Sequence, residues 1–192
     1  MTTTDAQIEI GMPLEEYIER SEREGLFEII DGREIIVSPV VRKHNRVGKR
    51  LLFALEPFKN EGEVMYDTPY ILEAKRNWVK GARVPDLMYY TAERLAAHDA
   101  SVADYDDKPV ILVPDLTVEI ISPTDKRKHV LAKVRMYHDD GVGVVWLIDT
   151  DYGSVTVMPR GDKAVLLHNP ADLLSGGDLL PGFSVTLAEL FA

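Results

Sequence analysis

An α/β protein with a mixed central β-sheet flanked by helices is what this 192-residue sequence predicts. Three observations lead there. β-prone and helical stretches interleave along the chain instead of segregating into halves. The run from Leu116 to Ile148 reads strand, helix, strand, which fits a right-handed parallel crossover. Short strands joined by tight turns, as at Asp31-Gly32, signal antiparallel hairpins. The last of these, turning at Asp151-Tyr152-Gly153, adds an extra C-terminal β-hairpin to the core.

Taken in order, residues 1–12 are expected to form a loose N-terminal segment and residues 13–192 a single domain. Pro13 followed by Leu-Glu-Glu-Tyr-Ile opens a helix, because proline suits the first turn and acids suit the positive N-terminal end. It fades near Gly25. Leu26–Ile30 and Glu34–Val37 form a hairpin, which Ser38-Pro39 ends. From Val41 to Lys59 the residues Val47, Leu51, Leu55 and Phe58 recur at helical spacing. Val64–Tyr66 and Tyr70–Glu73 read as short strands, and 74–82 as a polar, turn-rich stretch. Val84–Tyr90 is a strand whose proline suits its beginning. Thr91 caps a helical turn, and an acidic loop covers 98–108. Pro114–Ile121 is a buried strand, followed by a basic helix from Thr124 to Asp140 that Gly141 ends. Val144–Ile148, Ser154–Met158 and Ala164–His168 are strands, and Pro181-Gly-Phe leads into a short terminal helix.

Composition sets limits on function. The apolar runs, such as Val142 to Ile148, are far too short to span a bilayer, so no membrane role is expected. The N-terminus lacks the pattern of a secretory signal. With no cysteine there is neither a disulfide framework nor a thiolate metal site, and a cytoplasmic location is expected. The net charge of −10 argues against a broad basic face. Two local clusters stand against that acidic background. Arg42, Lys43, Arg46, Lys49 and Arg50 surround His44, and Lys126, Arg127, Lys128, Lys133 and Arg135 surround His129. Either alone reads as a solvated helix face; on helices flanking one sheet they could bind phosphates.

The chemistry centres on acids in apolar strands. Glu119 lies between Val118 and Ile120, and Asp86 between Pro85 and Leu87. A buried ionised group is costly unless something binds it. Two such carboxylates brought together repel, raise each other's pKa, or share a cation. Hard oxygen donors suit Mg²⁺, with Mn²⁺ an alternative, which can polarise a phosphodiester and activate water. Pairing with arginines or capping of loops would equally explain each acid taken singly. Lys133 follows from geometry. At about 1.5 Å per helical residue and about 3.3 Å per strand residue, a helix folding back from Ile121 returns Lys133 to the level of Glu119. It shares a face with Val130, Val134 and Tyr137. A snorkelling lysine is the competing account. Glu28 is a third acid, in Leu-Phe-Glu-Ile-Ile, or else the solvent side of a hairpin. His44 and His129 could contact phosphate or simply pack. Nothing resembles a nucleophile elbow, a His-Glu-x-x-His zinc motif or a Gly-rich nucleotide loop.

These residues sit within an ordered set of motifs: Leu14-Glu-Glu-Tyr, Phe27-Glu-Ile-Ile-Asp-Gly-Arg-Glu, Ser38-Pro, His44, Val84-Pro-Asp-Leu, Glu93-Arg-Leu, Val118-Glu-Ile-Ile-Ser-Pro, Lys133-x-x-x-Tyr137, Trp146-Leu-Ile-Asp and Pro181-Gly-Phe. Together they resemble the family of small restriction-endonuclease-like proteins within the PD-(D/E)XK nuclease superfamily. The resemblance runs from about Pro13 to Phe191. It implies a restriction endonuclease-like core and a divalent metal at Asp86 and Glu119. It also implies that Lys133 substitutes for the lysine missing at Ile121, and that Glu28 is a further metal or water ligand. Two places depart from the family pattern: His129-Val130 stands where Asp-Leu is common, and Asp140-Gly-Val-Gly-Val-Val-Trp lacks a Glu-Tyr.

Three functions compete. The first is a metal-dependent endonuclease on DNA, with Arg42, Lys43, His44, Arg46, Lys126, Arg127 and Lys128 holding phosphates. A homodimer that cuts both strands is an expectation from the fold. The second is a non-catalytic module that binds nucleic acid or protein on an inherited nuclease fold. The third, a carboxylate-pair glycosidase, has no aromatic platform in the sequence to support it.

Overall fold

The structure is a computed structural model, described here for residues 10–37, 39–121 and 127–192. In chain order its strands and helices are β1 (Met12–Pro13), α1 (Leu14–Glu24), β2 (Phe27–Ile30), β3 (Arg33–Ile36), α2 (Arg42–Leu55), β4 (Glu63–Tyr66), β5 (Tyr70–Lys75), β6 (Trp78–Arg83), β7 (Leu87–Tyr90), α3 (Ala92–Asp99), β8 (Leu116–Ile121), α4 (Arg127–Asp140), β9 (Val144–Asp149), β10 (Ser154–Pro159), β11 (Val165–Leu167), β12 (Leu173–Ser175), β13 (Ser184–Thr186) and α5 (Leu187–Phe191).

The central sheet has the order β11-β10-β9-β8-β7-β4. It is mixed: β8 and β9 run parallel, in register from Leu116–Val144 to Ile121–Asp149, and the neighbouring pairs are antiparallel. The helix needed to cross between parallel neighbours is α4. The expected C-terminal hairpin, turning at Asp151-Tyr152-Gly153, is β9–β10, and β11 pairs with β10 to extend this sheet at one edge. A second, antiparallel sheet has the order β1-β6-β2-β3, with β5 also on β6. β12 and β13 form a small third pair.

Strand alternation decides what covers each face of the central sheet. Leu116, Val118 and Ile120 point to the side of α2, where Val47, Leu51 and Leu55 form its buried stripe, and Phe183, Leu187 and Leu190 complete that core. Burying each such aliphatic chain is worth ~1.5–3 kcal/mol. Met88, Tyr90, Val145 and Leu147 point the other way, against Val134 and Tyr137 of α4. Glu119 shares that second face. A third cluster holds the smaller sheet to α1 through Tyr17, Phe27, Ile29 and Val79, and the Tyr17 hydroxyl donates to the Phe27 carbonyl at 3.0 Å.

Several boundaries differ from the sequence reading. The stretch 74–82 contains β6, at the centre of the smaller sheet. Its inward residues include Val79, Gly81, Ala82 and a buried Arg83, so hydropathy alternation does not mark it. A Cβ at position 81 would stand 3.0 Å from the Arg83 guanidinium and 3.2 Å from Leu72. The loose N-terminal segment stops short of Met12, which is buried and paired with Val79. β7 begins at Leu87, leaving Asp86 on the approach to the strand and not inside it. Thr91 precedes α3, but its own side chain makes no capping bond; Asp115, ahead of β8, accepts the Thr91 N–H at 2.9 Å. The Ser122-Pro123 turn and Ser38 lie outside the described residues.

Candidate active site

Glu119 sits on β8, parallel in register with Leu147 of β9. The strand period of two aims it at α4 while Val118 and Ile120 enter the opposite core. Lys133 and Tyr137 reach it from one face of α4. Lys133 Nζ lies 2.8 Å from Glu119 Oε1, and the Tyr137 hydroxyl donates to the same oxygen. The ammonium also stands 3.3 Å from Glu28 Oε1 and 5.8 Å from the centre of the Tyr137 ring. The return of the helix to the level of Glu119 is therefore as the rise-per-residue comparison predicts.

Glu28, on β2 of the smaller sheet, is buried. Its Oε1 accepts the Val84 N–H at 3.0 Å. It is thus on the inner side of its hairpin, and Lys133 bridges the two sheets by touching one acid from each.

Asp86 is held from two directions. Its Oδ2 accepts the Ile120 N–H at 2.6 Å, and its Oδ1 lies 3.1 Å from His44 Nε2. His44 is 7% exposed. It therefore packs against the acid on the strand approach; the stripe Val47, Leu51, Leu55, extended back by three residues, reaches it. Asp67, on the turn after β4 with φ of 47°, donates its N–H to the Asp86 carbonyl at 3.4 Å. The sequence reading did not single out Asp67, and its Asp-Thr-Pro context announces only a turn.

The electrostatics follow from this packing. Burial pushes the Glu119 carboxyl pKa up to about 7; Lys133 opposes the shift and the charge of Asp86 adds to it. Burial alone would lower the pKa of Lys133, but the charges of Glu119 and Glu28 outweigh that and raise it, so the amine stays an ammonium. For His44, burial likewise disfavours the imidazolium, and the bond and charge of Asp86, with Glu119 and Asp67, reverse the balance and raise its pKa. The Asp67 carboxyl is raised by burial first and then by Asp86.

The site lies in a cleft of about 950 Å³ between the β2–β3 hairpin, the first turn of α2, and α4. Behind it a buried latch fixes α4 to the smaller sheet. Arg83 Nε is 2.9 Å from Asp140 Oδ2, its guanidinium also donates to the Ile29 carbonyl, and the Tyr70 hydroxyl donates to Asp140 at 2.9 Å.

The predicted basic residues spread out. Arg42, Lys43 and Arg46 are exposed on α2, with Lys43 paired to Asp151 at 3.1 Å. Lys128 and His129 are exposed on α4. Lys126 and the side chain of Arg127 lie outside the described residues. α2 and α4 cover opposite faces of the sheet, yet His44 and His129 both line the one cleft.

Among the described residues no group of three or more His, Asp or Glu side chains is gathered to hold a metal by protein ligands alone. Mg²⁺ usually keeps several waters and takes one or two carboxylates. Asp86 and Glu119 are hard, like-charged donors, and the raised pKa of Glu119 measures a penalty that a cation would relieve. The donor set fits a hydrated divalent ion of that kind.

Comparison with known proteins agrees with this architecture. A family model described as "Uma2: Putative restriction endonuclease" matches residues 14–188. Among solved structures, the chain is similar to a putative nuclease belonging to DUF820 from Anabaena variabilis, with a TM-score of 0.74 and 18% identity over 94% of this chain and 97% of that one. At that identity the likeness establishes the fold. No curated protein matches the chain in sequence.

Proposed function

The chain belongs to the Uma2 family of restriction-endonuclease-like proteins, and from that membership we propose that it is a metal-dependent endonuclease that hydrolyses phosphodiester bonds of DNA. The observation that carries the reading is the convergence of Asp86, Glu119 and Lys133 in one open cleft. Asp86 and Glu119 would hold Mg²⁺ or Mn²⁺, which when bound polarises a phosphoryl oxygen and makes a coordinated water more acidic. His44 and the Ile120 N–H fix the rotamer of the Asp86 carboxylate. Tyr137 and Lys133 together fix one oxygen of Glu119.

Lys133 acts as a cation. Its raised pKa rules it out as a base near neutrality. Held between Glu28 and Glu119, it can orient a water or offset the negative charge that grows on the phosphoryl group. Arg42, Arg46 and Lys128 lie on the surface where backbone phosphates can meet them.

A binding module without catalysis is the second reading. The net charge of −10 favours a protein partner in this reading, because a strong polyanion binder usually carries a basic field. Plasmid cleavage in Mg²⁺ or Mn²⁺ decides between the two. The nuclease reading expects nicking that stops in EDTA and is lost in Glu119→Gln. Inert protein, or a Glu119→Gln variant as active as the parent, would sink it.

A further inference from the structure

His129 lies on the face of α4 that looks into the cleft. It stands four residues before Lys133, one helical turn or about 6 Å along the axis, and both residues line the cleft together with Glu119 and Asp86. Because α4 runs back along β8, His129 is one turn nearer to the C-terminal end of β8 than the Lys133–Glu119 contact. His129 is exposed, and among the described residues no hydrogen bond or ion pair engages its ring.

Hydrolysis of a phosphodiester moves two protons. The attacking water must lose one, and the sugar oxygen that leaves must gain one. Among the described residues the basic side chains lining the cleft are His44, Arg83, His129, Lys133 and Arg135. Arg83 and Arg135 carry guanidinium groups, which keep their protons near neutrality. Lys133 is held by Glu28 at 3.3 Å and Glu119 at 2.8 Å, contacts that keep its proton in place. His44 is buried, and its Nε2 is occupied by Asp86 Oδ1 at 3.1 Å. His129 is left with both ring nitrogens open to the cleft and to solvent. Histidine is the side chain that ordinarily gives and takes a proton near neutral pH.

Resting on the nuclease reading above, we propose that His129 is the general acid of the reaction and protonates the leaving sugar oxygen. As the water oxygen bonds to phosphorus, the bond from phosphorus to the sugar oxygen breaks. The electron pair left on that oxygen takes the imidazolium proton. The attacking water releases its own proton to bulk water, and His129 is reprotonated from solvent.

The test separates proton delivery from binding. At a linkage that the parent cuts, the leaving oxygen is replaced by sulfur, which departs as a thiolate and needs no proton. In Mn²⁺, His129→Asn should cut the ordinary duplex about 10²-fold more slowly than the parent, and the sulfur-bridged duplex at the parental rate. Titration of the ordinary duplex in Ca²⁺, followed by fluorescence anisotropy, should give the two proteins the same affinity. A variant equally slow on both duplexes would overturn the proposal and assign His129 to support of the helix. A variant that loses duplex affinity in step with its rate would overturn it too, and assign His129 to a phosphate contact. So would a variant that cuts the ordinary duplex at the parental rate, which leaves the nuclease reading intact. A parent inert on duplex DNA removes the nuclease reading first, and this inference falls with it.

Discussion

Lys133 Nζ stands 2.8 Å from Glu119 Oε1, so the basic helix sets an ammonium directly against the acid of the central strand. Glu28 receives the same ammonium at 3.3 Å. Lys133 thus joins an acid of the central sheet to an acid of the smaller sheet.

Replacing Lys133 by Met leaves two part-buried carboxylates facing each other. DNA cleavage should fall by about 10²–10³, the usual cost of losing one aimed donor, with circular dichroism showing a folded chain. Lys133→Arg keeps the charge and should recover part of the rate. A Lys133→Met protein that cuts at the parental rate contradicts the assigned role.

The raised pKa of Glu119 sets a pH dependence of stability. Its ordinary value is 4.5 and its folded value about 7. Between them the folded protein holds a proton that the unfolded chain has released, so stability is lost as pH rises through that window. The loss is at most about 1.4 kcal/mol per pH unit, or roughly 3–6 °C in Tm for a chain of this size. His44, also raised, acts in the same sense: its contribution is present below 6.5 and lost as pH climbs through the higher folded pKa. Thermal melts in EDTA should therefore show a flatter pH profile for Glu119→Gln than for the parent. Parallel profiles would show that Glu119 is not strained.

His44 Nε2 stands 3.1 Å from Asp86 Oδ1 and so orients the carboxylate proposed to hold the metal. Removing such a support typically costs 10–100-fold in metal affinity. Calorimetric titration with Mn²⁺ should show a loss in that range for His44→Ala and a smaller one for His44→Gln, which keeps a polar group. Unchanged affinity in His44→Ala would mean that the Ile120 N–H is sufficient to hold the carboxylate.

The Arg83–Asp140 pair is buried on both sides, with side chains 8% and 10% exposed. Arg83→Met strands Asp140 and the Ile29 carbonyl, so urea unfolding should show a loss of about 3–5 kcal/mol. Adding Asp140→Leu should restore part of that, because the orphaned charge goes with it. A double variant no more stable than Arg83→Met would place the damage in packing.

What the sequence showed depended on how each element advertises itself. β8 and α4 were legible because Val118, Ile120, Val134 and Tyr137 follow strand and helix periods, and the difference in rise then brings Lys133 to Glu119. β6 was not, because close packing against Leu72 and Arg83 selects glycine and alanine where a pattern search looks for large apolar residues. For His44 the sequence leaves open a phosphate contact or a packing role; its place on the Val47–Leu51–Leu55 stripe decides for packing and turns it inward to Asp86. Arg83 gave no signal at all: its partners, Ile29, Asp140 and Tyr70, are distant in sequence, and only the fold brings them together.

The central claim is that Asp86 and Glu119 hold a divalent ion beside Lys133. Anomalous diffraction from crystals soaked in Mn²⁺ tests it most directly. The account predicts one peak bounded by the Asp86 and Glu119 carboxylates, with the Lys133 ammonium alongside, and its disappearance in Asp86→Asn. A peak that survives Asp86→Asn, or Mn²⁺ bound elsewhere while these two carboxylates stay clear of it, would contradict it.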